Sequence, residues 1–272
     1  MNNENTATKV GSPEYLKALY SNASPVVISI CALKGGSGKS TTTTGLGAAL
    51  AADGHKILIV DHDAQGDSTG FIMERRAHGA VEIENLDFAE YAGEDLHIWL
   101  SKHLEEKAAA NIFYDYVLID GAPGVDSPKI RSEVLIAHMI LVPVQPNKAE
   151  VRKLFRLQNV VNEAIEAGLQ KDLVLLPTRV REDTVTHREV LKALREGDVP
   201  LLSATVANAE GKKETRFAWI RERIAHQDAY TMTPSQTIFE YEPKGEAARD
   251  VDFTAKAILK RTNRKPKARK DK

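Results

Sequence analysis

The chain of 272 residues has one cysteine, two tryptophans, 6% aromatic residues and no long apolar run. Its single thiol, Cys31, excludes an intrachain disulfide framework, a cysteine-based zinc site and a Cys-x-x-Cys redox centre, and it fits a reducing cytoplasm. No stretch approaches the roughly 18 apolar residues of a membrane-spanning helix. The polar start MNNENTATK also lacks a signal-peptide stretch, so a soluble intracellular protein is expected. Net charge is scarce too, with 37 Lys and Arg against 38 Asp and Glu. Taken whole, the resulting charge of −1 predicts no polyanionic partner. The balance hides an asymmetry, because residues 260–272 hold eight basic residues against one acid and leave an acidic body behind them. None of the eight histidines stands in an HExxH pattern, which removes the commonest helical zinc motif.

What is present is ample core material, 42% apolar, in a length that suits one α/β domain with tails better than two domains. From Pro25 onward, short apolar runs alternate with helical stretches. The runs are 26–31, 57–60, 116–119, 139–142 and 173–176, apolar at consecutive positions save for Ser29 in the first. Such runs suit strands covered on both faces, which predicts an α/β fold with a mostly parallel twisted sheet flanked by helices on both sides. Helices are expected over 40–52, 148–167, 189–194 and 245–259, with glycines at Gly54 and Gly168 as natural stops. Residues 66–113 are the least legible, with a strand expected at 82–86 and a helix at 99–104. The division is thus residues 1–24 as an extension with a short helix over 12–20, 25–260 as the domain, and 261–272 as a basic, disordered tail.

Between the first strand and first helix stands Lys34-Gly35-Gly36-Ser37-Gly38-Lys39-Ser40-Thr41. Glycines at these spacings let backbone N–H groups converge on phosphate oxygens, and the helix N-terminus adds partial positive charge. Lys39 supplies a cation for the β- and γ-phosphates, and the Ser40 hydroxyl can ligate Mg²⁺. The usual GxxxxGK[ST] pattern wants glycine at position 33, where this chain has Leu33, and a second lysine stands at Lys34.

KGGSGKST resembles the deviant Walker A signature of the ParA/MinD family of P-loop ATPases, and the resemblance extends over most of residues 25–260. It continues through Asp61-His62-Asp63-Ala64-Gln65, through the strand ending at Asp120, and through Leu141-Val142-Pro143-Val144-Gln145-Pro146. The members it is most like are the short ParA-type plasmid partition ATPases. The resemblance implies ATP and Mg²⁺ as ligands, with residues 35–41 (Gly35, Gly36, Ser37, Gly38, Lys39, Ser40 and Thr41) binding nucleotide. A carboxylate at a buried strand end beside phosphates needs a cation or water to share the site. Asp120, with Ser40 and Asp61, is therefore assigned to the metal shell, and Asp63 to orienting the attacking water. By resemblance Lys34 acts in trans across an ATP-dependent homodimer, and Thr178, Arg179 and the 221–229 stretch approach the base. Ile220 stands where the family often has proline.

The tail decides the expected partner. Basic residues without interleaved large apolar ones do not make a membrane helix, so DNA is favoured over a membrane. Candidate DNA contacts are Lys260, Arg261, Arg264, Lys265, Lys267, Arg269 and Lys270, together with Lys212, Arg216 and Arg223, which fall at helical spacing around Trp219. The function implied is a partition ATPase, cytoplasmic and nucleoid-associated, that binds DNA non-specifically. Its weak intrinsic hydrolysis would be stimulated by a ParB-type centromere-binding partner. Only about 24 residues precede the first strand, so the chain resembles the class without an N-terminal operator-binding domain. The alternative is the same ATP switch used to position a protein cargo or a cell-division component.

Overall fold

The computed structural model describes residues 25–124, 127–197, 200–208 and 210–263. The helix expected over 12–20 and the cations Arg264, Lys265, Lys267, Arg269 and Lys270 lie outside the described residues. The strands are β1 (Val26–Ala32), β2 (Ile57–Asp61), β3 (Leu86–Glu90), β4 (Tyr116–Pro123), β5 (Met139–Val144), β6 (Asp172–Pro177), β7 (Ser203–Ala207) and β8 (Lys213–Phe217). The helices are α1 (Lys39–Ala52), α2 (Asp67–Ala77), α3 (Leu96–Ala109), α4 (Pro128–Ile136), α5 (Lys148–Glu166), α6 (Val185–Glu196), α7 (Ile224–Thr231), α8 (Ile238–Tyr241) and α9 (Glu246–Arg261).

Six strands form one parallel sheet in the order β3-β2-β4-β1-β5-β6. Alternate residues of each strand enter separate cores. Ile28, Ile30, Ile57, Ile59 and Leu118 pack with Leu46 and Leu50 of α1 and Val251 and Ile258 of α9. Val27, Cys31, Leu58, Val60 and Ile119 pack with α3, α4 and α5 through Leu100, Val134 and Leu157. This two-sided burial is why the runs lacked alternation, and it makes the expected α/β class the observed one. The order places β1 between β4 and β5, so the C-terminal ends of β1, β2 and β4 lie side by side.

The expected strand at 82–86 is displaced to Leu86–Glu90. Residues Glu82–Asn85 are its lead-in, with Asn85 at φ 64, and pairing begins at Ile57↔Leu86. An edge strand is covered less completely, so β3 is only half-buried and its pattern was weak. Helix α3 outruns the expected 99–104 at both ends.

The helical face drawn through Lys212, Arg216 and Arg223 is corrected. Residues 213–217 form β8, which pairs antiparallel with β7 around a turn at Gly211 (φ 76). Lys212 sits in that turn beside Glu210, Arg216 lies over the Phe253 ring, and Arg223 is the N-cap of α7, paired with Glu246. A hairpin with β8 exposed almost throughout has no apolar period to read, so spacing alone suggested a helix. Lys260 and Arg261, counted with the tail, complete the last turn of α9. Basic residues suit a helix C-terminus, and Arg261 donates to both oxygens of Asp172 at 2.6 and 2.7 Å, tying the helix end to β6.

Candidate nucleotide site

The P-loop between β1 and α1 is built on glycine conformation. Gly36 and Gly38 take φ of 74 and 86, and Gly38 is the N-cap of α1, where added Cβ atoms would meet nothing within 4 Å. Backbone freedom, rather than space, demands glycine there. Leu33, at the position usually held by glycine, is buried in the core under α4 and α5. The Ser37 hydroxyl oxygen is buried without a hydrogen-bond partner, while the Ser37 carbonyl accepts from Thr178 Oγ1 at 2.8 Å. A buried orphan hydroxyl and open glycine backbone at a helix N-terminus fit a bound phosphate chain.

Lys39 points to the strand ends. Its Nζ lies 2.9 Å from Asp63 Oδ2 and 3.0 Å from Asp120 Oδ1. Burial disfavours the Lys39 ammonium, but the Asp120 and Asp63 carboxylates outweigh it and hold the Lys39 pKa above the ordinary lysine value. Burial raises the Asp120 pKa despite the opposing pull of Lys39 and its hydrogen bonds. Ser68 Oγ donates to Asp120 Oδ2 at 2.5 Å. Asp61, register partner of Asp120, accepts from Thr69 N and Oγ1 at 2.8 Å and from Asp63 N at 3.1 Å. It therefore shapes the turn carrying Asp63. Among the described residues no cluster of three or more His, Cys, Asp or Glu forms a metal cage. A Mg²⁺ site made of one hydroxyl, substrate phosphates and water needs none, and Ser40 and Asp120 have the right oxygen chemistry for it.

Lys34 leaves the loop in another direction. Its Nζ lies 2.5 Å from Glu150 Oε1 and 3.3 Å from Gln145 Oε1. Two clefts meet at the loop. One, of about 330 Å³, runs along residues 34–41 past Asp63 and Gln65. The other, of about 480 Å³, is walled by Thr178, Arg179, residues 220–223, His226 and Tyr230. Arg179 lies in both linings at φ 49, a left-handed conformation uncommon for a residue with a side chain. The structure thus gathers Thr178, Arg179 and most of the 221–229 stretch at one wall. Ser68, Glu150 and Tyr230 were not singled out from the sequence, because no local pattern ties them to the loop, whereas His226 falls within the 221–229 stretch expected near the base. His226 Nε2 is buried without a hydrogen-bond partner, and burial pushes the ring's pKa down.

A family model described as the CobQ/CobB/MinD/ParA nucleotide binding domain matches residues 28–215. The chain belongs to that family. It is 28% identical over 177 residues to the sporulation initiation inhibitor protein Soj of Bacillus subtilis, covering 55% of this chain and 69% of that one. To the maintenance of carboxysome distribution protein A of Gloeobacter kilaueensis it is 29% identical over 187 residues, covering 68% and 78%. Among solved structures, a Borrelia burgdorferi B31 protein described as a plasmid partition protein and bound to AMPPNP superposes with a TM-score of 0.63. That match has 19% identity and covers 87% of this chain and 99% of the other, so it speaks for the fold. The glycine loop, Lys39 and the Asp63/Asp120 pair all lie within the stretch that matches this nucleotide-binding domain. Among the described residues no helix is long and apolar enough to cross a membrane.

Proposed function

We propose that this protein is a ParA-type partition ATPase that binds ATP with Mg²⁺, dimerises around the nucleotides and binds DNA non-specifically. A ParB-type partner would release it by stimulating slow hydrolysis. The observation carrying this reading is the pair of loop lysines with opposite settings. Lys39 is buried against Asp63 and Asp120, whereas Lys34 is 39% exposed at the loop's lip on a contact to Glu150. One lysine serves its own site, and the other is free to turn outward once its carboxylate is released.

In this mechanism Lys39 exchanges its carboxylate partners for the β- and γ-phosphates, and the glycine-loop N–H groups hold the phosphate chain. Bound Mg²⁺ would neutralise phosphate charge, held by Ser40 with Asp120, and Asp61 behind it, supporting its water shell. Released from Lys39, Asp63 accepts a hydrogen bond from the attacking water and aligns it. Lys34 of a second copy would stabilise charge on the transferred group, as an arginine finger does. Thr178 and Arg179 line the base end.

For DNA, Lys212, Arg216 and Arg223 share no helix face, and Lys260 and Arg261 have partners in the body. The remaining candidates are the cations at 264–270. The deciding measurement is DNA binding with ATP, ADP or no nucleotide across a salt titration. ATP-specific binding that weakens steeply with salt is expected, and equal binding in all three states would overturn the switch. Truncation after residue 263 should flatten the salt slope; an unaltered slope would clear the tail. A second reading, cargo positioning in the cytoplasm, is favoured by the similarity to the carboxysome distribution protein. A small basic DNA-binding protein encoded next door would favour partition over that reading.

A further inference from the structure

Behind the catalytic strand ends, outside both clefts, lies a buried polar group that hydrolysis as described leaves unused. Glu133 of α4 is fully buried, at 0% exposure, as is His62, between Asp61 at the end of β2 and Asp63 in the turn after it. Glu133 Oε1 lies 2.7 Å from His62 Nδ1 and accepts from Ala122 N at 2.9 Å. Its Oε2 accepts from Ser29 Oγ at 2.9 Å, with Cys31 Sγ at 3.3 Å. One carboxylate thus grips β1, which enters the P-loop; the turn after β2, which carries Asp63; and β4, which carries Asp120. The second ring nitrogen of His62 meets the Gly93 carbonyl at 2.7 Å. A carbonyl only accepts, so Nε2 donates to Gly93.

Burying such a pair is costly, and similar positions elsewhere in this core are apolar. The sheet even leaves Gly121 bare for it, since a Cβ there would stand 2.3 Å from Glu133 Oε2. A satisfied polar network in a dry core fixes its members relative to one another more narrowly than apolar packing does. What it fixes here is the spacing of the P-loop, Asp63 and Asp120, one residue from His62 on one side and two from Ala122 on the other.

We propose that His62 and Glu133 are positioning residues for hydrolysis: they set the reach of Asp63 and Asp120 toward the Lys39 end of the phosphate site without touching nucleotide. The proposal rests on the ATPase reading above. The test compares Glu133→Gln, His62→Gln and the double variant by binding of a fluorescent ATP analogue and by single-turnover hydrolysis of radiolabelled ATP. Expected are dissociation constants within twofold of wild type, turnover at least tenfold lower in each single variant, and a double variant no slower than the slower single one. Turnover within twofold of wild type in either folded single variant would overturn the proposal. So would binding and turnover falling in parallel, which marks a merely structural pair. Ser29→Ala removes one donor and leaves the pair intact, so it tests the same point if the polar variants do not fold. Roughly threefold slower turnover at unchanged binding is then expected, and unchanged turnover refutes the role. A wild-type chain that never hydrolyses ATP would remove the ATPase reading itself, whereas an active wild type with equally active variants removes only the positioning claim.

Discussion

Replacing Lys39 by methionine tests the electrostatics of the site before any nucleotide is added. In the structure the ammonium is the cation shared by Asp63 and Asp120, whose side chains are 7% and 0% exposed. Removing one member of a buried ion pair leaves an uncompensated charge and costs about 3–5 kcal/mol. Protonation of Asp120 relieves part of that, so roughly 3 kcal/mol is expected near neutral pH. For a domain of this size the melting temperature should fall by about 6–12 °C. The pH dependence has a definite sign. Burial raises the Asp120 pKa in the fold, so its contribution is fully present below the ordinary carboxylate range and is lost as pH rises through the raised value. Without Lys39 that value rises further. The Lys39 pKa is itself raised, so the ammonium's contribution is intact below the ordinary lysine range and is lost only as pH climbs through the folded value. Between pH 5 and 8 the carboxylate therefore sets the contrast, and the variant's deficit should be larger at pH 8. Thermal unfolding of both proteins at the two pH values reads this directly. Equal melting temperatures, or a deficit that shrinks as pH rises, would refute the reasoning. With ATP and Mg²⁺ at 100 times Kd, wild type should gain about 2.7 kcal/mol and the variant nothing measurable.

Three further outcomes are expected. Glu150→Gln weakens the hold on Lys34, worth about 1 kcal/mol at this half-exposed contact, so self-association should need roughly fivefold less ATP by light scattering; an unchanged ATP requirement would show that Glu150 does not restrain Lys34. Arg75→Leu strips partners from Glu240 and the Ser235 carbonyl, clasps between α2 and the C-terminal segments, and from the Val81 carbonyl just after α2, and should cost about 2–3 kcal/mol in urea unfolding. Gly121→Ala drives a methyl group into Glu133 and toward the Ile30 carbonyl, so a loss of about 1–3 kcal/mol should accompany slower turnover, and wild-type stability would contradict the packing described.

The parallel sheet was legible because its strands are buried on two faces, which writes itself as unbroken apolar runs at 57–60, 116–119 and 139–142. The glycine loop was legible because backbone conformation there depends on residue type within a few positions. The hairpin β7–β8 was not, since β8 lies exposed and Lys212, Arg216 and Arg223, in and around it, fall at helical spacing by coincidence. Strand β3 was half-legible for a related reason, its edge position giving only partial burial.

By itself the sequence determined the glycine loop and the α/β alternation, which depend on short-range pattern and strand burial, while Asp63 and Asp120 were pointed to by the family resemblance. Tertiary structure alone decided which groups those residues meet. Lys39 finds Asp120 across 81 residues, Lys34 finds Gln145 and Glu150, and Glu133 reaches His62 across 71. Such pairings are set by how β1, β2 and β4 are ordered in the sheet and by the helices packed on it, and a buried charge accepts whichever partner that packing delivers.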